Sequence, residues 1–203
     1  MKNAAEAIVG AMKALALPGQ RIPDARGTVP NRPGLYAVHA SPTTWRALEL
    51  EERQPSTPLY VGRARDSLVT RDLKTHFATG CTGRSTVRRS FAVLLRDQLA
   101  ITSVPRRSKK PPTTRDFTNY DLDTDSEEAL TAWMHDHLTF SVWSLPEGWK
   151  PNDLIPLEKS IRRAWGPPVN LRDVPHPSVR IDRGRKAFAA EARASALAKN
   201  DRY

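Results

Sequence analysis

The chain has 203 residues, and its 32 lysines and arginines against 22 aspartates and glutamates give a formal net charge of +10. Hydrophobic residues at 39% and aromatics at 7% suffice for a modest core, which excludes wholesale disorder and suits one domain with appendages. The single cysteine, Cys81, excludes an intramolecular disulfide and a cysteine-based zinc cluster. The apolar stretch AIVGAMKALAL is broken by Lys13, is too short to span a bilayer, and lacks the order of a signal peptide. The expectation is a soluble, cytoplasmic, basic protein with a polyanionic partner.

Residues 4–17 are rich in Ala and Leu and read as a helix stopped by Pro18-Gly19. The Pro- and Gly-containing stretch 18–33 reads as a linker. Two short strands are expected at Leu35–His39 and Leu59–Gly62, joined by a long segment with room for a helical turn. A helix is expected from Ser67 to Phe77, with Ser67 as its N-cap. Ser85-Thr86 open a second helix, whose Val87, Phe91, Leu94, Leu95 and Leu99 form an apolar stripe. VPRRSKKPPTTR reads as a basic loop. A third helix begins at Ser126, with Glu127 and Glu128 in its first turn and Leu130, Trp133, Met134 and His137 along one side. Phe140–Leu145 reads as a buried strand. A fourth helix, capped by Asn152 or Asp153, ends at Gly166-Pro167-Pro168. The tail from residue 176 is basic and helix-prone with a weak apolar face, so it is expected to order on binding. The resulting organisation is an N-terminal helix and linker (1–30), a mixed α+β domain (31–175) and a basic C-terminal tail (176–203).

Five elements in this order carry a resemblance. Gly34-Leu35-Tyr36, then Leu59-Tyr60-Val61-Gly62, then a helix bearing Arg71 and His76, then Glu158, then Pro167-Pro168-Val169-Asn170 are similar to the GIY-YIG nuclease superfamily. Either tripeptide alone is weak evidence; the ordered set spans residues 34–170. The resemblance implies a small three-stranded antiparallel sheet flanked by helices. It further implies divalent-metal-dependent hydrolysis of DNA phosphodiester bonds, with Mg²⁺ or Mn²⁺ as cofactor.

By the same resemblance, Tyr36 or Tyr60 positions or deprotonates the attacking water. A free phenol titrates near pH ~10, so a tyrosine base needs cations beside it, and Arg63, Arg65 and Arg71 are the candidates. Arg71 would grip the scissile phosphate with its planar guanidinium. Glu158 would be the protein's ligand to a metal that otherwise keeps waters and substrate oxygens. Asn170 would orient Glu158, and His76 would accept a proton from a tyrosine. Two features depart from the family pattern. Arg71 and His76 are five residues apart where many relatives have four, and residues 40–57 are an insertion. The ordinary reading of Glu158 is an i,i+4 ion pair with Arg162. His135 and His137, two apart on a helix, lie on different faces and make poor joint ligands.

The positive charge is concentrated. Residues 84–115 hold nine basic residues and one acidic, whereas 116–175 hold five basic and eleven acidic. Arg65, Arg84, Arg88, Arg89, Arg106, Arg107, Lys109, Lys110, Arg183, Arg185 and Lys186 are the expected contacts to a nucleic-acid backbone, which confer affinity without sequence preference. DNA is the expected partner, with RNA possible; no membrane or small-molecule cofactor is expected. The alternative is a non-catalytic or RNA-directed binding module on the same fold. Charge reversal across Arg106–Lys110 is expected to weaken DNA binding. It should also flatten a log–log salt slope of roughly −4 to −5, measured by fluorescence anisotropy at several salt concentrations. Unchanged affinity would remove that segment from the interface.

Overall fold

The computed structural model describes residues 3–17, 19–25, 27–51, 57–107 and 111–200. In chain order these form α1 (Ala4–Leu15), β1 (Gln20–Arg21), β2 (Gly34–Ala40), α2 (Pro42–Ala47), β3 (Tyr60–Ala64) and a π-helix (Val69–His76). They continue with α3 (Thr86–Leu94), β4 (Ser103–Val104), α4 (Thr114–Thr118), β5 (Asp121–Leu122) and α5 (Thr124–His137). The last elements are β6 (Leu138–Ser144), α6 (Leu154–Trp165) and α7 (Val179–Asn200). The chain divides into two compact units, one of Met1–Lys74 with His135–Ser178 and one of Thr75–Met134 with Val179–Tyr203. No described helix is long and apolar enough to cross a membrane.

The first unit contains an antiparallel sheet of order β1-β6-β2-β3. It has four strands among the described residues, not the expected three. The extra strand, β1, lies in the stretch expected as a linker. Gln20 and Arg21 pair with Phe140 and Thr139, and buried Ile22, Ala25 and Val29 anchor the segment between β1 and β2. Successive strand residues alternate faces. Leu35, Ala37 and Val61 therefore join Ala11 and Leu15 of α1 and Leu154, Leu157 and Ile161 of α6 in one core cluster, with Trp143 and Trp149 packed against it. The 40–57 insertion opens with α2, where the Ser41 hydroxyl accepts from the Thr44 amide (3.2 Å) and Trp45 is buried; residues 52–56 lie outside the described set.

The helix expected at Ser67–Phe77 is a π-helix, with Ser67 Oγ accepting from the Thr70 amide as a cap (3.2 Å). A π-helix bonds i to i+5, the same interval that separates Arg71 from His76.

In the second unit α3 ends at Leu94, earlier than the apolar stripe predicted, and every residue from Val87 to Leu94 is buried. The start of α5 is also shifted. Asp123 accepts from the Ser126 amide (2.9 Å), so the acid three residues upstream takes the capping role expected of Ser126. The tail is a packed helix: Ile181, Phe188 and Ala192 of α7 are buried, and the Phe188 ring lies 5.3 Å from that of Tyr120. The apolar face looks weak in sequence because three residues over twelve positions carry it.

The register pairs Tyr36 with Gly62 and Val38 with Tyr60. Both tyrosines thus project from one face, diagonal to each other across β2 and β3. A Cβ at position 62 would fall 2.3 Å from the Tyr36 ring and hydroxyl. Gly62→Ala should therefore cost about 1–3 kcal/mol, as overpacking of a filled core does, read from the shift in urea-unfolding midpoint. A variant as stable as wild type would contradict this packing.

Candidate active site

Tyr36 and Tyr60 stack with ring centroids 6.0 Å apart and planes 26° from parallel. Both rings are buried, at 1% and 6% exposure. The sheet brings them together because alternation places them on one face and Gly62 leaves room for the first of them.

Beside them lies a buried carboxylate. Glu158, on α6, is 3% exposed, with Arg162 donating to its Oε1 and Arg63 of β3 donating to its Oε2. Arg162 sits one helical turn after Glu158. Its Nε also donates to the Val61 carbonyl (3.0 Å), and its guanidinium lies 5.8 Å from the centre of the Tyr60 ring. Arg65 donates to Asn152 Oδ1 (2.7 Å). Arg162 is thus a cation at Tyr60. Sequence reasoning named Arg63, Arg65 and Arg71 for that place and read Arg162 only as a partner of Glu158, although the four-residue spacing to Glu158 was a visible signal.

Asn170 binds the backbone of β3. Its Oδ1 accepts from the Val61 amide (2.8 Å) and its Nδ2 donates to the Val61 carbonyl (2.9 Å), while Val169 N donates to the Leu59 carbonyl (3.0 Å). The amide group thus imitates a neighbouring strand along the free edge of β3. Gly166 ends α6 in the left-handed conformation (φ 57°), and Pro167-Pro168 prevent the helix from continuing, which delivers Asn170 to that edge. Arg162 links Glu158 and Asn170, since it donates both to Glu158 and to the Val61 carbonyl that accepts from Asn170.

The donor set bears on an implied metal. Among the described residues, no three His, Cys, Asp or Glu side chains gather into a cage. A single carboxylate with waters and substrate oxygens completing the shell is the mode that Mg²⁺ accepts, and Glu158 fits it through hard oxygen donors. Of its two oxygens, Oε2 has the more exposed partner, since Arg63 is 33% exposed and Arg162 12%.

A model of the GIY-YIG catalytic domain matches residues 34–185. The chain belongs to the GIY-YIG family. No curated protein matches it, and no solved structure does. Members of this family are generally endonucleases, typically dependent on a divalent metal, and the family implies a nucleic-acid substrate.

Of the residues expected in the GIY-YIG site, Tyr36, Tyr60, Arg63, Glu158 and Asn170 converge in the first unit. Arg71 is half-buried on the π-helix of that unit, and among the described residues no side-chain hydrogen bond or ion pair ties it to the cluster. His76 belongs to the second unit. Its ring is fully buried, with Nδ1 2.6 Å from the Ser85 hydroxyl, so it is not a helix-surface residue.

The expected nucleic-acid contacts separate into two groups. Arg65, Arg84, Arg107, Arg183 and Lys186 are exposed, and Arg106 and Arg185 are half-buried; Arg185 donates to the Thr86 carbonyl (2.6 Å) and Lys186 to Asp182 (2.7 Å). Lys109 and Lys110 lie outside the described residues. Arg88 and Arg89 require correction. Arg88 is 0% exposed and donates to Glu127 Oε2 (2.6 Å), to the Glu127 carbonyl and to Thr82 and Thr131. Arg89 is 8% exposed and donates to the Gly83 carbonyl and Asn119. Burial, together with the nearby Arg185 and Arg106 cations, pushes the Arg89 guanidinium down to about 10. Neither side chain is available to a phosphate.

If Arg88 serves structure, Arg88→Met leaves the Glu127 carboxylate buried without its cation and should cost about 3–5 kcal/mol, measured by chemical denaturation. A variant of unchanged stability that binds DNA less tightly would restore Arg88 to the interface.

Proposed function

We propose that this chain is a divalent-metal-dependent endonuclease that hydrolyses DNA phosphodiester bonds. The observation that carries the reading is the convergence of two stacked tyrosines with a buried carboxylate bracketed by two guanidinium groups, in a chain of a generally nucleolytic family. Each group has a distinct task in phosphodiester hydrolysis. A tyrosine orients the attacking water and, in its phenolate form, takes the water's proton to become the neutral phenol, while Arg162 over the ring holds Tyr60 in place. Arg71 pairs with the scissile phosphate, where a planar guanidinium grips two oxygens at once. Arg63 adds a second cation against the charge that accumulates in the transition state. Glu158 would hold the metal, which when bound supplies Lewis-acid stabilisation of the phosphoryl and leaving oxygens. Exposed Arg65, Arg84, Arg107, Arg183 and Lys186 contribute sequence-indifferent backbone contacts.

A second reading, a binding module without turnover, has one observation in its favour. Both Glu158 oxygens are taken by guanidinium groups, and both tyrosine rings are buried.

Nicking of supercoiled plasmid in Mg²⁺ or Mn²⁺ separates the two, with labelled RNA assayed in parallel. Wild type should cut DNA, and Glu158→Ala and Tyr60→Phe should each slow it by about 10²- to 10⁴-fold, the range for loss of a group acting in the chemical step. Cleavage that survives both substitutions refutes this site. Binding with no cleavage of either nucleic acid favours the module, and cleavage confined to RNA changes the substrate.

A further inference from the structure

The two guanidinium groups on Glu158 are not equivalent. Arg162 is 12% exposed, leaves the same helix as Glu158, and is also tied to the Val61 carbonyl and the face of Tyr60. Moving it would disturb these contacts together, along with its ion pair to Asp173. Arg63 is 33% exposed, comes from β3, and its bond to Glu158 Oε2 is the one side-chain bond it makes among the described residues. Arg162 also ion-pairs with Asp173 (4.0 Å), whereas Arg63 pairs with Glu158, so a divalent cation arriving at Oε2 with Arg63 still in place would meet like charge at contact range.

We propose that Arg63 is an exchangeable counter-ion of Glu158. It neutralises Oε2 while no divalent cation is bound and leaves that oxygen when one arrives, whereas Arg162 keeps Oε1 throughout. The released guanidinium then has its donors available for a phosphate oxygen. The pairing gives a carboxylate 3% exposed its bonded partners before the cation is present, since a buried carboxylate without a partner is strongly disfavoured. This inference rests on the reading of Glu158 as the metal ligand.

The test is Mn²⁺ binding to the full chain without nucleic acid, followed by loss of the electron paramagnetic resonance signal of aqueous Mn²⁺. Far-UV circular dichroism checks the fold of each variant. Removing a positive charge adjacent to a dication's seat strengthens its binding, so Arg63→Gln should bind Mn²⁺ about ten-fold more tightly than wild type or better. Arg63→Met, a second charge-free variant, should do the same, and Arg63→Lys, which keeps the charge, should stay near wild type. Glu158→Gln should lose the binding. If Glu158→Gln loses Mn²⁺ but both charge-free variants bind no more tightly than wild type, the exchange is overturned while the metal role of Glu158 stands. If Glu158→Gln binds Mn²⁺ as well as wild type, that role is overturned, and the exchange with it.

Discussion

The candidate site depends on the free edge of β3 at Val61. An edge strand presents an amide and a carbonyl with no strand to receive them, and a buried backbone group left unpaired is costly. Here the Asn170 side chain meets both groups, and the Arg162 guanidinium takes the second lone pair of the same carbonyl. Closing the sheet edge and fixing the site are therefore one event. The helix that carries Glu158 and Arg162 is terminated by Gly166 and the two prolines, and that termination brings in Asn170. Asn170 and Arg162 share the Val61 carbonyl, and Arg162 alone of the two also holds the carboxylate.

Each unit contains a buried carboxylate held by arginine, and the contrast between them separates structure from chemistry. Glu127 accepts from Arg88 and from the backbone amides of Gly80 and Thr82, and Arg88 is itself fully buried and bonded to Thr82 and Thr131. In that network the carboxylate takes backbone amides as well as a guanidinium, and the guanidinium is fully buried. Glu158 is as buried, but its oxygens see only side chains, one of them a third exposed. A group meant only to hold a fold is best enclosed; one meant to meet a ligand needs a partner that can yield. Under the proposed function, Glu158 follows the second pattern.

The features legible in the sequence obey short-range rules. Strand alternation and the two tripeptides located β2 and β3, and the Gly-Pro-Pro stop located the end of α6. The hidden features depend on partners far along the chain. β1 is two residues long, and its pairing with β6 lies about 120 positions away, so no local period announces it. Arg88 and Arg89 looked solvated because adjacent cations on a helix usually are, yet the partner of Arg88 stands 39 residues downstream, and α3 is buried all round. The motif located Asn170, but its bonds to the Val61 backbone, 109 positions away, have no local signal.

The two tripeptides are one physical unit rather than two signatures. Tyr36 lies over position 62, and only a residue without a Cβ leaves it that space. Val61, between Tyr60 and Gly62, turns its side chain into the core with Leu35 and Ala37 while its backbone faces Asn170 and Arg162. The same five-residue strand thus packs one tyrosine, presents the other, fills the core and anchors the carboxylate. Stability alone does not ask for the last of these. Leu154, Leu157 and Ile161 already bury the inner face of α6, and apolar side chains of similar volume commonly replace a buried ion pair at no loss of stability. An acid at position 158, bonded by two arginines, is what a merely folded domain can do without and what the proposed phosphodiester-cleaving site would use.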